Sequence, residues 1–389
     1  MTSIISAPAV ARGTIVDKTR IQACFDRHAA EPQVSIDAHV RKRRIALGEW
    51  VVARKRIYLD QRFWVDLRKV ALGTRTDAES VSLLDVLRRR VANNEIICPI
   101  SEPVFAELMK QQDLGTRRAT AQLIDELSRG VCLGPERERA GTELAHFLYP
   151  NGWQGTTYPL NVLVWSKLSY VLGLMHPSQT PFEPDQELLM QKAFFDHMWD
   201  CSLTEMLDIL GRDALPEITF DDLAEKLNQG IVRHADAIHS FEEVYCHEIA
   251  GALGLVAATA VSILEDMFQK SHGFPPELSD SEREAHEQQF HAFLVNVVTH
   301  KRAIRKRLPT LHIHASCHAG LRLNKTQRID GNDVYDFHHA AAAIPYCDAF
   351  FTDKPLQSLL QTKPLKIRED FACQIVSSIP EAVACASNL

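Results

Sequence analysis

Asn332 to Lys354 reads NDVYDFHHAAAAIPYCDAFFTDK. The alanines predict a helix that Asn332 or Asp333 caps and Pro345 ends. AFFT then predicts a short strand with Asp353 at its end. A helix running into an apolar strand is the unit from which parallel α/β sheets are built. Four aspartates, Asp333, Asp336, Asp348 and Asp353, crowd this otherwise apolar stretch. Acids are costly to bury unless they are paired or hold a metal. Asp333 and Asp336 stand three apart and so share one helix face. Asp348 reads as a turn residue after Pro345.

The same texture extends outward on both sides. KPLQSLLQ predicts a helix, CQIVSS a last strand and PEAVACASNL a terminal helix. Lys354 is the expected cap of the first of these, with Pro355 as its first residue. Far upstream, RIYLDQRFWVDL gives a β-prone run ending in Asp60, followed by a helical pattern. SLLDVLRRRVANN predicts a helix, EIICPIS a strand, and SEPVFAELMKQ a helix with Ser101 as N-cap. The order β-α-α-β-α implies a parallel sheet with helices on both faces. From about 136 to 299, strand-like runs nearly vanish and helical segments dominate. The expected organisation is a partly helical N-terminal arm over 1–50, a first core segment over 51–135, a helical insertion over 136–299 and a second core segment over 300–389.

In open α/β sheets, ligands sit beyond the carboxyl ends of the strands. Asp60 and Asp353 each follow an apolar strand, so parallel neighbouring strands would bring both to one crevice. Asp336 begins a helix leading into the second strand, and Glu107 lies one to two turns into its own helix. The expected result is a pocket of carboxylates with no Lys or Arg nearby in sequence. Like charges at close range raise one another's pKa. A hard divalent cation relieves this, and oxygen-only ligands suit Mg²⁺ or Mn²⁺. The competing reading of Asp60 is a helix cap, and of Glu107 a solvated helix residue.

Taken together, RIYLDQRFWVDL, PISEPVFAELMK and NDVYDFHHAAAAIPYCDAFFTDK resemble the PIN-type nuclease domain. The resemblance covers about 50–135 and 310–389. It implies a PIN-like α/β/α core around a parallel sheet, interrupted here by the helical insertion. It further implies Mg²⁺ or Mn²⁺ held by Asp60, Asp336 and Asp353, with Asp333 in support and Glu107 as a further ligand or water positioner. Asp60, Glu107, Asp336 and Asp353 then form the catalytic set. The implied activity is hydrolysis of RNA phosphodiesters, leaving a 5′-phosphate and a 3′-hydroxyl. The insertion, absent from small PIN toxins, would select substrate, form a dimer surface or bind a regulator.

The chain has 389 residues and a formal net charge of −7, which does not advertise a broad nucleic-acid binder. Local basic patches remain. Arg41, Arg43, Arg54 and Lys55 flank the first core segment, and Lys301, Arg302 and Arg305 flank the second; these are the candidates for holding a phosphate backbone. Nine scattered cysteines without a CxxC pair fit reduced thiols in a cytoplasmic protein. The apolar run IAGALGLVAATAVSIL is shorter than a bilayer span and predicts a buried helix. LHIHASCH offers a rival metal site: on a strand, His312 and His314 would share a face, with Cys317 and His318 close by. His338 or His339 could reach the acidic pocket as a phosphate contact. A second rival keeps the fold and makes it a catalytically inactive RNA- or protein-binding module; a third directs the nuclease to single-stranded DNA.

Overall fold

The computed structural model describes residues 18–149, 158–210, 219–233, 240–323 and 328–389. The N-terminal stretch 1–17 and most of the loop expected over 152–159 lie outside them. Helices α1 (Lys18–Ala29) and α2 (Ile36–Val52) precede strand β1 (Lys55–Leu59). Then α3 (Gln61–Ala71) and α4 (Ala78–Ala92) lead to β2 (Ile96–Ile97), and α5 (Glu102–Met109) and α6 (Leu114–Ser128) lead to β3 (Val131–Leu133). The helical stretch holds α7 (Glu136–Leu148), α8 (Leu160–Leu163), β4 (Trp165–Lys167), α9 (Pro184–Trp199), α10 (Leu203–Leu210), α11 (Asp221–Arg233), α12 (Phe241–His272) and α13 (Asp280–His300). After it, α14 (Arg302–Arg305), α15 (Pro309–Leu323) and α16 (Gly331–Ala343) run into β5 (Ala349–Phe351). The chain closes with α17 (Lys354–Leu360), α18 (Ile367–Asp370), β6 (Gln374–Val376) and α19 (Ile379–Asn388).

This is an α/β protein with a four-strand parallel sheet and many helices. The strand order is β2-β1-β5-β6, every pair parallel. From β1 the chain first moves outward to β2, then returns to β5 on the other side. The order therefore reverses between β1 and β5, and a crevice opens at their carboxyl ends. Ile57, Tyr58 and Leu59 of β1 and all three residues of β5 are fully buried. Strands covered on both faces have no polar side to show, which is why these runs do not alternate. Ala340 to Ala343 are also fully buried, and their small side chains let α16 lie close to the sheet. Strands β3 and β4 form a separate antiparallel pair that the sequence did not suggest.

A second core joins α7, α12, α13 and α15 through Leu144, Tyr245, Ile249, Leu253, Leu294 and Leu311, among others. Here the sequence expectation for LHIHASCH fails: it is not a strand but the middle of α15. Leu311, Ala315 and Ala319 face the second core, while Ile313, Cys317 and Leu321 join the sheet core. A helix wedged between two cores is apolar nearly all round, and its amphipathic period disappears. The run expected to make a buried helix lies in α12 and is buried on one face only, with Leu255 left 86% exposed. By length and composition alone α12 would suffice to cross a membrane, though a third of that window is buried in the protein.

Glu143 of α7 ties the two cores. It is fully buried and accepts hydrogen bonds from the Thr310 amide at 3.0 Å, the Thr310 hydroxyl at 2.5 Å and the Tyr346 hydroxyl at 2.5 Å. Burial raises its pKa to about 7, against the pull of those donors.

Candidate functional site

The register pairs Leu59 with Phe351, so the residues after both strands emerge side by side. The Asp60 amide donates to the Phe351 carbonyl at 3.0 Å, which fixes Asp60 beside Thr352. Asp353 follows one residue later. Both aspartates cap the helices that follow: Asp60 accepts from the Phe63 amide at 3.2 Å and Asp353 from the Leu356 amide at 2.8 Å. Lys354 is thus the first residue of α17 and not its cap, because the Asp353 carboxylate outcompetes it for the free amide. Each carboxylate spends one oxygen on its helix and keeps the other available.

Helix α16 is capped by Asp330, not by Asn332 or Asp333. Asp330 accepts from the amides of Asn332 and Asp333, and Asp333 reaches back to the Asp330 amide at 2.9 Å, a reciprocal capping box. Asp333 is therefore occupied at the helix start. Asp336 stands one turn further on, and among the described residues it makes no hydrogen bond or ion pair. Asp348 is drawn away from the crevice: it binds the Arg56 amide at 2.9 Å, the Arg56 guanidinium at 2.6 Å and Lys55 at 3.1 Å. It does more than turn the chain; it clamps the amino edge of the sheet.

His339, one of the two histidines expected within reach of the acids, enters the group as the partner of Glu107, while His338 turns to Glu136. It is buried, with Nε2 2.9 Å from Glu107 Oε2 and Nδ1 2.8 Å from the Tyr58 hydroxyl. Tyr58 in turn bonds Ser101 at 2.5 Å. Ser101 sits at the N-cap of α5 as expected, but its hydroxyl goes to Tyr58 and gives no cap bond. The chain Ser101–Tyr58–His339–Glu107 holds the Glu107 carboxylate in place across β1, α5 and α16. His339 also acts as a buried counter-charge among the acids. Burial alone would lower its pKa, but Glu107, Asp60 and Asp336 raise it above the usual imidazole value.

The acids sense one another. Burial first, then Asp353, Asp60 and Glu107, push Asp336 up to about 8, with His339 opposing. Burial pushes Asp60 up to about 6, again against His339. Asp333 is raised by burial and by the charges of Asp330 and Asp353. The Thr352 hydroxyl helps to favour charged Asp60, yet its oxygen makes no well-formed hydrogen bond. Four carboxylates, partly desolvated and mutually repelling, fit a hard divalent ion through oxygen donors. Their oxygens stand apart: among the described residues, two sets of three side chains bring ligating atoms within 4.8 Å of one another, and neither belongs to this group. Mg²⁺ retains several waters and needs only one or two direct carboxylates, so a loose acid ring suits it better than a tight cage.

The expected basic contacts fall elsewhere. Lys55 begins β1 and Asp60 follows its end, so Arg54 and Lys55 lie at the opposite edge of the sheet, roughly 15 Å away by strand rise. Lys55 is spent on Asp348, and Arg54 stacks on Trp50 while donating to its carbonyl. Arg43 lies near Asp196 and Asp200, and Arg302 pairs with Asp370 at 3.1 Å. Arg305 is buried, bonded to Glu242 and stacked over Tyr245, so it holds α14 to α12 and offers nothing to a phosphate. Arg41 and Lys301 are exposed. The cations that do stand at the carboxyl edge are Arg62, two residues after Asp60, Lys354 beside Asp353, and Lys110 three residues after Glu107. Arg62 and Lys354 are exposed, and only their adjacency to the acids in sequence could have marked them.

His312 and His314, two apart on a helix, point apart. His312 bonds Tyr245 at 3.0 Å, while His314 joins His338 on Glu136. No protein-family model, curated protein or solved structure matches this chain.

Proposed function

We propose that this protein is a PIN-like, metal-dependent nuclease acting on RNA, with its site in the crevice between β1 and β5. The observation that carries this reading is the meeting of Asp60 and Asp353 at the ends of adjacent parallel strands, where the strand order reverses, with Asp336 and Glu107 coupled to them. The PIN resemblance of the three sequence blocks assigns metal binding to these same four residues. Asp336, raised to about 8 and without a partner among the described residues, is the acid whose charge a divalent ion would stabilise most.

Asp60, Asp336 and Asp353 would hold Mg²⁺ or Mn²⁺, with Asp333 supporting the start of α16. When bound, such an ion supplies Lewis acidity to a phosphoryl oxygen and lowers the pKa of a bound water. Glu107, oriented by His339, would position the attacking water. Arg62 and Lys354 would steady the flanking phosphates.

The test is cleavage of mixed RNA and single-stranded DNA with Mn²⁺, Mg²⁺ or EDTA, comparing the wild type with Asp336→Asn. Metal-dependent cutting of RNA that the variant loses is the expected result. Preference for single-stranded DNA would move the substrate assignment. RNA binding without cleavage, unchanged by Asp336→Asn and with no Mn²⁺ binding by calorimetry, would replace the enzyme by a binding module.

A further inference from the structure

A second group of metal-ligating side chains lies outside the acid crevice. Glu136 opens α7, His314 lies on α15 and His338 on α16. One oxygen, Glu136 Oε2, is 2.8 Å from His314 Nε2 and 2.6 Å from His338 Nδ1, and the three ligating atoms lie within 4.8 Å of one another. The two imidazoles meet edge to face at 4.7 Å, and Phe220 stacks on His338 at 5.2 Å, covering the site. His318 stands one turn beyond His314, its ring stacked at 6.3 Å and its Nδ1 buried with no hydrogen-bond partner among the described residues. Hydrogen bonding of one carboxylate to two imidazoles accounts for Glu136, His314 and His338, but it leaves the His318 nitrogen unexplained.

We propose that Glu136, His314, His338 and His318 form a zinc-type site that pins the helical stretch to the sheet-bearing core. Two or three imidazoles with one carboxylate suit a borderline ion such as Zn²⁺, where oxygen-only groups suit Mg²⁺. Zinc bonds of roughly 2.0–2.1 Å set tetrahedral ligand atoms about 3.3 Å apart. Small movements of the His314 and His338 rings away from Glu136 open that space, and rotation of His318 supplies the fourth ligand. Neutral imidazole is the ligating form. Arg139, 3.9 Å from Glu136, balances that carboxylate when no metal is bound and also faces Glu143. The site joins the first turn of α7 to α15 and α16. Zinc would therefore stabilise the folded chain by binding it and not the unfolded one.

The experiment uses the full chain, stripped with chelator and titrated with Co²⁺ followed by absorption, then with competing Zn²⁺. One tight equivalent with intense tetrahedral bands is expected, together with a higher melting temperature on zinc addition. His314→Ala and His338→Ala should each weaken binding by at least about 100-fold, and His318→Ala by at least about tenfold. His314→Gln, checked by circular dichroism, guards against loss through misfolding. Asp336→Asn should leave the cobalt spectrum unchanged, which separates this site from the crevice and its nuclease reading. The proposal is overturned if the wild type takes up no zinc at micromolar free metal. Binding that survives both His314→Gln and His338→Ala, or that disappears in Asp336→Asn, would overturn it equally.

Discussion

Two groups of buried carboxylates lie within a few turns of one another and are treated in opposite ways. At the base of α7, Glu143 is surrounded by Thr310 and Tyr346, and Glu136 by His314 and His338. At the ends of β1 and β5, Asp60 and Asp353 keep one oxygen each uncommitted, and Asp336 has no protein partner among the described residues. The first group turns burial into cohesion, because hydrogen-bond donors and Arg139 satisfy the acids where they sit. The second stores repulsion: His339 offsets part of it, and Asp336 still rises to about 8. An acid left unsatisfied in a crevice is destabilising by itself, and groups perturbed in this way cluster at functional sites.

The contrast breaks most visibly in cleavage. Asp353→Asn should lower metal-dependent RNA cleavage by about 1,000-fold, equivalent to some 4 kcal/mol of barrier; a loss below tenfold in a single-turnover assay would remove Asp353 from the catalytic set. In the cohesive group, Glu143→Ala should cost about 3 kcal/mol in urea unfolding, because the Thr310 and Tyr346 donors lose their buried acceptor. A cost under about 0.5 kcal/mol would show that the contact between the two cores does not depend on it.

The unsatisfied group should behave in the reverse sense. Asp336 has a folded pKa near 8 against 3.8 for a free carboxyl, so between those values the folded, metal-free chain holds a proton that the unfolded chain has lost. Its contribution to stability is full below pH 4 and is lost as pH rises to 8. His339, raised by the acids, loses its contribution in the same direction. Asp336→Asn should therefore stabilise the metal-free protein at pH 8 by several kcal/mol, below a ceiling of about 6 kcal/mol set by the rise from 3.8 to about 8, and have little effect near pH 4. Thermal unfolding at the two pH values in EDTA reads this directly, and equal effects would refute the shift. The smallest effect concerns substrate: Lys354→Ala should weaken RNA binding several-fold at low salt, while Lys55→Ala, at the far edge of the sheet, should not change it. Filter binding in which Lys55 matters more would relocate the RNA path.

Much of the crevice was legible because its signals are local. A β-prone run ending in Asp60, an Ala-rich helix after Asp336 and a strand ending in Thr352-Asp353 each read correctly over a few residues. The capping of α16 by Asp330 is not legible in sequence because Asp330, Asn332 and Asp333 compete there, and only geometry shows which side chain meets the free amides. α15 was misread because Leu311, Ile313, Ala315 and Cys317 alternate with His312, His314 and Ser316, imitating a strand. The basic residues misled for a different reason: Arg305 and Lys55 look alike in sequence, and their fates depend on Glu242 and Asp348, far along the chain.

The order of residues along the chain is enough to show an α/β protein interrupted by helices, with acids at the ends of its strands. Both follow from side-chain periodicity and from the chemistry of neighbouring residues. Only the tertiary structure decided that β1 and β5 are adjacent, that His339 sits among the acids, and that Glu136 gathers two histidines. Those facts rest on contacts between residues up to 292 positions apart, as for Ile57 and Ala349. No local rule encodes such a contact, because it exists only once both cores have closed around it.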